Sequence, residues 1–322
     1  MTALEIILIA LAVLVAAYFA VCAALTAGTL LRRKRKEPDP AETRSLAPYA
    51  ELIRSGVRWL REQNTEKVEI TSFDGLRLRA LYLPAENARC TAILMHGYRS
   101  EFLWDFAGAY QLLHEYGCNL LVPWQRAHGE SEGKVICMGI KERRDCADWA
   151  RYIEARNGKE LPIVLEGMSM GAATVLMATG EPLPENVRGV VADCGFGSLW
   201  REFGHVLTHR THLPLHPILE TCSLLCRLFF GFSYKAYTTG EALRGSKKPL
   251  LLIHGEADHF VPAYFSKENF EASAAEDKTL VLVPNAGHGA SFLLEPERCT
   301  REVLAFYDRV TGAAQAPGQK SE

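Results

Sequence analysis

Six runs in the chain are almost wholly apolar: TAILMHG at 91–97, NLLVPW at 119–124, PIVLEGM at 162–168, RGVVADC at 188–194, PLLLIHG at 249–255 and TLVLVPN at 279–285. A strand with one wet face alternates apolar and polar residues, whereas a strand covered on both faces is apolar throughout. Segments of helical length separate these runs, among them 102–116, 140–156 and 297–310. That alternation predicts an α/β fold with a mostly parallel, doubly wound sheet. Functional groups in such a sheet belong at the carboxyl ends of the strands. Ahead of the six runs, KVEITSFDGLRLRALYLPA alternates around Asp74-Gly75 and predicts a hairpin.

The first residues read differently. From Ile6 to Leu31 there are 26 residues without a charge, and about 20 suffice to cross a bilayer's hydrocarbon core. No basic residue precedes the run and no small-x-small cleavage site follows it, so a retained transmembrane helix is expected rather than a cleaved leader. Five consecutive bases, Arg32 to Lys36, follow it; they predict that the C-terminal side faces the cytoplasm. Pro38 and Pro40 mark a linker, and Leu46, Leu52, Ile53, Val57 and Leu60 form the apolar face of a helix expected over 43–64. The expected organisation is an anchor with its basic flank (1–36), a linker and helix (37–65), an α/β domain (66–310) and a loose tail (311–322). The nine cysteines show no framework spacing and fit free thiols. A net charge of −2 without a basic stripe argues against nucleic acid as a partner.

The stretch PIVLEGMSMGAAT at 162–174 holds the sharpest chemical signal. Gly167 and Gly171 could be ordinary turn glycines and Ser169 a helix cap. The flanks favour another reading, because a buried strand runs straight into a buried helix. At the apex of so tight a turn, side chains two positions away on either side would collide unless tiny. The turn lifts the Ser169 hydroxyl to the strand's C-terminal end. Serine is a weak nucleophile at its free pKa, so this reading demands a base and an acid elsewhere.

Two later strand ends supply them. LLLIHGEADHFVP carries Asp258, and LVLVPNAGHGAS carries His288. With HGYRS, RAHGESEG, GMSMG, HGEADHFVP and NAGHG in this order, the sequence resembles the α/β-hydrolase superfamily over residues 66–310. Within it the chain is similar to membrane-anchored bacterial members related to the serine aminopeptidase and monoacylglycerol-lipase-like group. In the reading of the residues, Ser169 is the nucleophile, His288 the base, and Asp258 the acid that orients it. The resemblance implies that the backbone N–H groups of Tyr98 and Met170 form the oxyanion hole. Asp193, also at a strand end, is the rival acid and reads better as a structural cap. His96, His128 and His254 read as hydrogen-bonded loop residues, and Glu166 as pointing away from the site. Gln125 and Ala127 stand where the superfamily usually has Asp and Gly.

Between 196 and 246 lies an insert where this fold usually carries a lid. Its apolar stretch LPLHPILETCSLLCRLFFGF suggests a cover over an acyl pocket. Trp200, Phe203 and Phe232 are the expected walls. His209, His212, His216, Cys222 and Cys226 match no closed zinc pattern, so no metal is expected. No dinucleotide or P-loop motif appears, so no cofactor is expected either. The expected function is hydrolysis of a carboxylic ester carried by a small acyl or lipid-like substrate. An aminopeptidase or amidase shares these motifs, but its cationic substrate suits poorly an insert richer in Arg and Lys than in acids. A membrane-tethered binding protein on a dead hydrolase scaffold is disfavoured by the intact Ser-Asp-His order. No obligate protein partner is evident.

Overall fold

The computed structural model describes residues 1–33, 39–42, 46–100 and 103–312. Lys34 to Lys36, Pro38, residues 43–45 and 101–102, and the tail from 313 onward lie outside the described residues, so part of the basic flank, of the linker and of the tail is not covered below.

Eight strands form one sheet in the order β1-β2-β4-β3-β5-β6-β7-β8. The hairpin predicted around Asp74-Gly75 is β1 (Glu66–Thr71) and β2 (Arg77–Leu83), paired antiparallel. The six apolar runs become β3 (Cys90–Met95), β4 (Cys118–Pro123), β5 (Ile163–Met168), β6 (Val187–Asp193), β7 (Leu250–Gly255) and β8 (Lys278–Val283). These six pair only in parallel with one another. β2 joins β4 antiparallel.

Both faces of the sheet are covered, as the apolar runs require. Leu94, Leu120, Val122 and Val191 point to one face, where they pack with Tyr110, Phe306 and Tyr307. These come from α3 (Tyr110–Tyr116) and α11 (Pro296–Thr311). Ile93, Met95, Leu121 and Val190 point to the other face and meet Trp149, Ile153 and Leu176. Those belong to α4 (Glu142–Asn157) and α5 (Met170–Ala178). Alternate residues of one strand thus serve two separate cores.

Two helices are shorter than their patterns. The helix expected over 43–64 is α2 (Ala50–Glu62), preceded by a 3-10 turn, Ala47–Tyr49; of its expected apolar face, Leu52 is exposed. Pro48 explains the late start, since it sits inside that turn and lacks the N–H that a continuing helix needs. The segment expected to be helical over 102–116 forms α3 only from Tyr110, and 105–109 are turns.

The insert is helical: α6 (Leu199–Arg210), α7 (Ile218–Phe230) and α8 (Thr239–Leu243). The N-terminal apolar run is α1 (Ala3–Leu30), long and apolar enough to cross a membrane. Its end does not stand apart from the body. Cys22, Thr26 and Leu30, one turn apart on a single stripe, are buried against the insert. Tyr18 Oη lies 2.7 Å from Thr221 Oγ1 on α7. Just beyond α1, Leu31 bridges to Val135, and Ile136 N–H donates to Leu30 O. The domain boundary expected at residue 36 therefore does not separate an anchor from a body, because the last third of α1 is packed into the body.

Between β7 and β8, α9 (Tyr264–Ala272) packs against both strands, and α10 (Ser291–Leu294) links β8 to α11.

Candidate active site

Ser169 sits at the turn from β5 to α5 with φ 54° and ψ −113°, a conformation that L-residues seldom adopt. The two glycines make this possible. A Cβ on Gly171 would lie 1.8 Å from Met95 O, and one on Gly167 would lie 2.2 Å from Gly171 O. The turn is fixed to the next strand by Ser169 N–H, which donates to Asp193 O at 2.8 Å.

His288 follows β8 and Asp258 follows β7, and the sheet order brings both beside Ser169. Ser169 Oγ lies 2.9 Å from His288 Nε2, and His288 Nδ1 lies 2.7 Å from Asp258 Oδ2. The other oxygen of Asp258 accepts the N–H groups of Phe260 and Val261, each at 2.9 Å. Burial alone would raise the Asp258 carboxyl. Hydrogen bonding from His254 and His288, with the His288 charge and the Val261 N–H, instead brings it well below the usual carboxylate range. It is held as the anion that can stabilise an imidazolium.

Asp193 is also buried nearby, yet His288 turns to Asp258. Burial raises the Asp193 carboxyl to about 6, against the pull of His254 and His288. Its role in the turn is its backbone carbonyl, not its carboxylate. His254 is a structural link, with Nδ1 2.6 Å from Ser266 Oγ and Nε2 2.8 Å from Val261 O. Glu166 accepts from Tyr307 Oη at 2.9 Å and lines the cavity that reaches Ser169.

Met170 is the first residue of α5, where no carbonyl four residues earlier in the helix takes its N–H. Tyr98 lies on the loop after β3, across from that helix start. Its loop is held from three sides. Asp105 Oδ2 accepts Gly97 N–H at 2.6 Å. His128 Nε2 accepts Arg99 N–H at 3.0 Å while its Nδ1 lies 3.0 Å from Arg126 O. Burial, helped by the neighbouring His96, keeps the His128 ring neutral, as an acceptor must be. The third support is the end of α1. Tyr98 Oη donates to Thr29 O at 2.6 Å, and Arg99 Nη2 donates to Gly28 O at 2.8 Å. The carbonyls left over at the helix end are thereby satisfied by the loop beside Ser169.

Sequence reasoning missed Asp105, Arg99 and the α1 contact. It also gave no role to Arg126, which makes two 2.6 Å bonds to Asp145 and pairs with Asp74, tying the 124–132 loop to α4. Gln125, at the position of the superfamily's usual Asp, donates to His96 O and takes Thr174 Oγ1 at 3.3 Å.

Two cavities meet at Ser169, Tyr98 and Phe260. The wider, about 1010 Å³, also reaches Asp105, His209 and Arg210. The narrower, about 290 Å³, runs under the insert between α6 and α7, with Leu25 and Thr29 of α1 as one wall. Phe203 lines it. Trp200 and Phe232 line neither cavity, which corrects the expectation drawn from their size. Trp200 lies under Lys235, whose Nζ is 3.8 Å from the ring centre, and Phe232 is a buried core residue. Among the insert's histidines and cysteines, His216 pairs with Glu220 and Cys222 Sγ faces Cys22 O. Cys194, Asp258 and His288 bring ligand-type atoms within 4.8 Å of one another. They suit a metal poorly: Asp258 and His288 hold each other, and burial pushes the Cys194 thiol well up, away from the thiolate a metal takes.

Residues 92–302 match the alpha/beta hydrolase family. The chain belongs to that family. Among its relatives, an uncharacterized Escherichia coli protein, YfhR, is 30% identical over 71% of this chain and 75% of its own length. An uncharacterized Bacillus subtilis protein, YqkD, is 23% identical over 79% of this chain and 84% of its own. Among solved structures, the Pyrococcus furiosus esterase Pf2001 superposes with a TM-score of 0.63 at 23% identity, covering 78% of this chain and 92% of that one. At that identity the likeness speaks for the fold. α1 precedes the matched region altogether.

Proposed function

We propose that this chain is a serine hydrolase of carboxylic esters with an acyl or lipid-like substrate. The observation that carries the reading is the hydrogen-bonded chain Ser169–His288–Asp258 at the mouth of an apolar cavity. Ser169 Oγ attacks the ester carbonyl as His288 Nε2 takes its proton. The N–H groups of Tyr98 and Met170 receive the developing oxyanion. The C–O bond to the alcohol then breaks, and His288 returns the proton to the leaving oxygen. Water, activated by the same His288, hydrolyses the acyl-enzyme and frees Ser169. The acyl chain occupies the narrow cavity, and the leaving group lies in the wider, more polar one. An aminopeptidase would use the same three residues, but the insert, richer in Arg and Lys than in acids, argues against its cationic substrate. Arg210 lines the wider cavity.

The test is a fluorophosphonate probe together with p-nitrophenyl esters of increasing chain length, set beside aminoacyl-nitroanilides. Single labelling at Ser169 and preference for the esters are expected. Labelling that persists in Ser169→Ala, or faster cleavage of the anilides, overturns the reading.

The same reading makes α1 a membrane anchor with the catalytic domain on the cytoplasmic side, by the bases that begin at Arg32 and Arg33. Residues 3–17 are exposed along their whole length. At 1.5 Å per residue they rise about 22 Å, short of the ~30 Å hydrocarbon core. An anchor this short, fixed to the body at its other end, holds the insert against the bilayer surface. Leu228 and Phe229 of α7, 67% and 73% exposed, suit that surface. Protease added to intact cells is expected to leave the catalytic domain uncut; digestion from outside reverses the orientation.

A further inference from the structure

The narrow cavity beside Ser169 is apolar over most of its wall, with Leu25, Phe203, Val206, Leu207, Ile218 and Leu219 on its sides. One carboxyl lines it, that of Glu202 on α6. Glu202 is only 3% exposed, and neither of its carboxyl oxygens has a hydrogen-bond partner. A carboxyl so placed costs free energy that a leucine at the same position would not.

The ordinary reasons for a buried acid fail here. Glu202 makes no ion pair among the described residues. Helix capping is not its role either: with Ser198 as the N-cap of α6, the capping-box position is Arg201, one residue earlier, and α6 has no side-chain cap. Nor does it belong to a polar network of the kind that holds Glu166 or Asp145. What remains is the space it faces, which is the space that receives substrate beside Ser169.

We infer that Glu202 is a substrate-recognition group whose carboxyl hydrogen-bonds a hydroxyl carried on the acyl chain in the narrow cavity, so that this enzyme selects hydroxyacyl esters over plain acyl esters. The inference rests on the ester-hydrolase reading above. A hydroxyl fits better than an ammonium. Burial pushes the Glu202 carboxyl up to about 8, with the negative Asp258 adding to it, so the group is protonated at neutral pH. A protonated carboxyl offers one donor and one acceptor, and a hydroxyl needs one of each. An ammonium brings three donors and a charge, and the cavity has no second carboxylate to share them.

The test uses the full-length protein in detergent and paired p-nitrophenyl esters: octanoate, 8-hydroxyoctanoate and 8-aminooctanoate, with six- and ten-carbon sets to scan depth. For at least one chain length the hydroxy ester is expected to exceed the plain ester in kcat/KM by about tenfold, the worth of one buried hydrogen bond. Glu202→Gln, which still donates and accepts, is expected to keep most of that ratio. Glu202→Leu is expected to lose it, with its folding checked by thermal unfolding. Equal rates for plain and hydroxy esters at every length overturn the inference while leaving the ester-hydrolase reading intact. So does a preference that survives Glu202→Leu. Preference for the amino ester replaces the hydroxyl with an ammonium and overturns it as well. Binding of the same esters to Ser169→Ala, followed by calorimetry, reads the Glu202 contribution without turnover. There a hydroxy-over-plain affinity ratio lost in Ser169→Ala/Glu202→Leu supports the inference even if the ester chemistry is wrong, and an unchanged ratio overturns it.

Discussion

The two ends of α1 are alike in sequence and opposite in environment. From Ala3 to Ala17 every residue is exposed, and past Glu5 the side chains are the Leu, Ile, Val and Ala that a bilayer solvates. From Cys22 to Leu30 the same helix is solvated by protein: one stripe is buried, Thr26 Oγ1 donates back to Cys22 O at 2.8 Å, and the final carbonyls bind Tyr98 and Arg99. An apolar helix does not specify which of two apolar surroundings it enters. In the function proposed above one end is the anchor, while the other end lines the narrow cavity beside Ser169 with Leu25 and Thr29. The second half carries a trace of that difference in Cys22, Thr26, Gly28 and Thr29, small or weakly polar side chains that close helix packing uses.

The largest expected effect is chemical and sets the scale for testing the two ends. Asp258→Asn is expected to lower kcat on p-nitrophenyl butyrate by about 10⁴-fold, as loss of the orienting acid does in Ser-His-Asp sites. Asp193→Asn should retain most activity; the opposite ranking moves the acid to Asp193.

Next comes the comparison itself. Removing residues 2–17 is expected to leave turnover of a small soluble ester within about twofold, because nothing in the body rests on them. Removing residues 1–31 is expected to cost about 10²-fold, the order of losing an oxyanion-hole donor, because the Tyr98 loop loses its support. Equal kcat for the two truncations breaks the distinction between the halves.

Tyr98→Phe keeps the backbone N–H and removes only the bond to Thr29 O. A fall in kcat of about tenfold or less is expected, the worth of one partly buried hydrogen bond. No change in either kcat or thermal stability would make that bond incidental to the site. The smallest effect belongs to the cavity wall. Leu25→Trp should shift the preferred acyl chain to shorter lengths by a few-fold in relative kcat/KM, whereas Leu14→Trp, on the exposed half, should not move the profile.

Sequence alone determined the sheet and the tight turn that carries Ser169. Strands apolar on both faces admit only a covered parallel sheet, and the glycines at 167 and 171 admit only a tight strand-to-helix turn at Ser169. These are local rules, in which a residue and its close neighbours carry the whole constraint. Tertiary structure decided what depends on distant partners. It turned His288 to Asp258 rather than to the also buried Asp193, and it turned Trp200 away from the cavity that Phe203 lines. It left Glu202 facing that cavity without a partner, and it joined Gly28 and Thr29 to a loop some seventy residues away. No periodicity or motif encodes such contacts, because they arise from which surfaces remain unsatisfied once the sheet and its helices have formed.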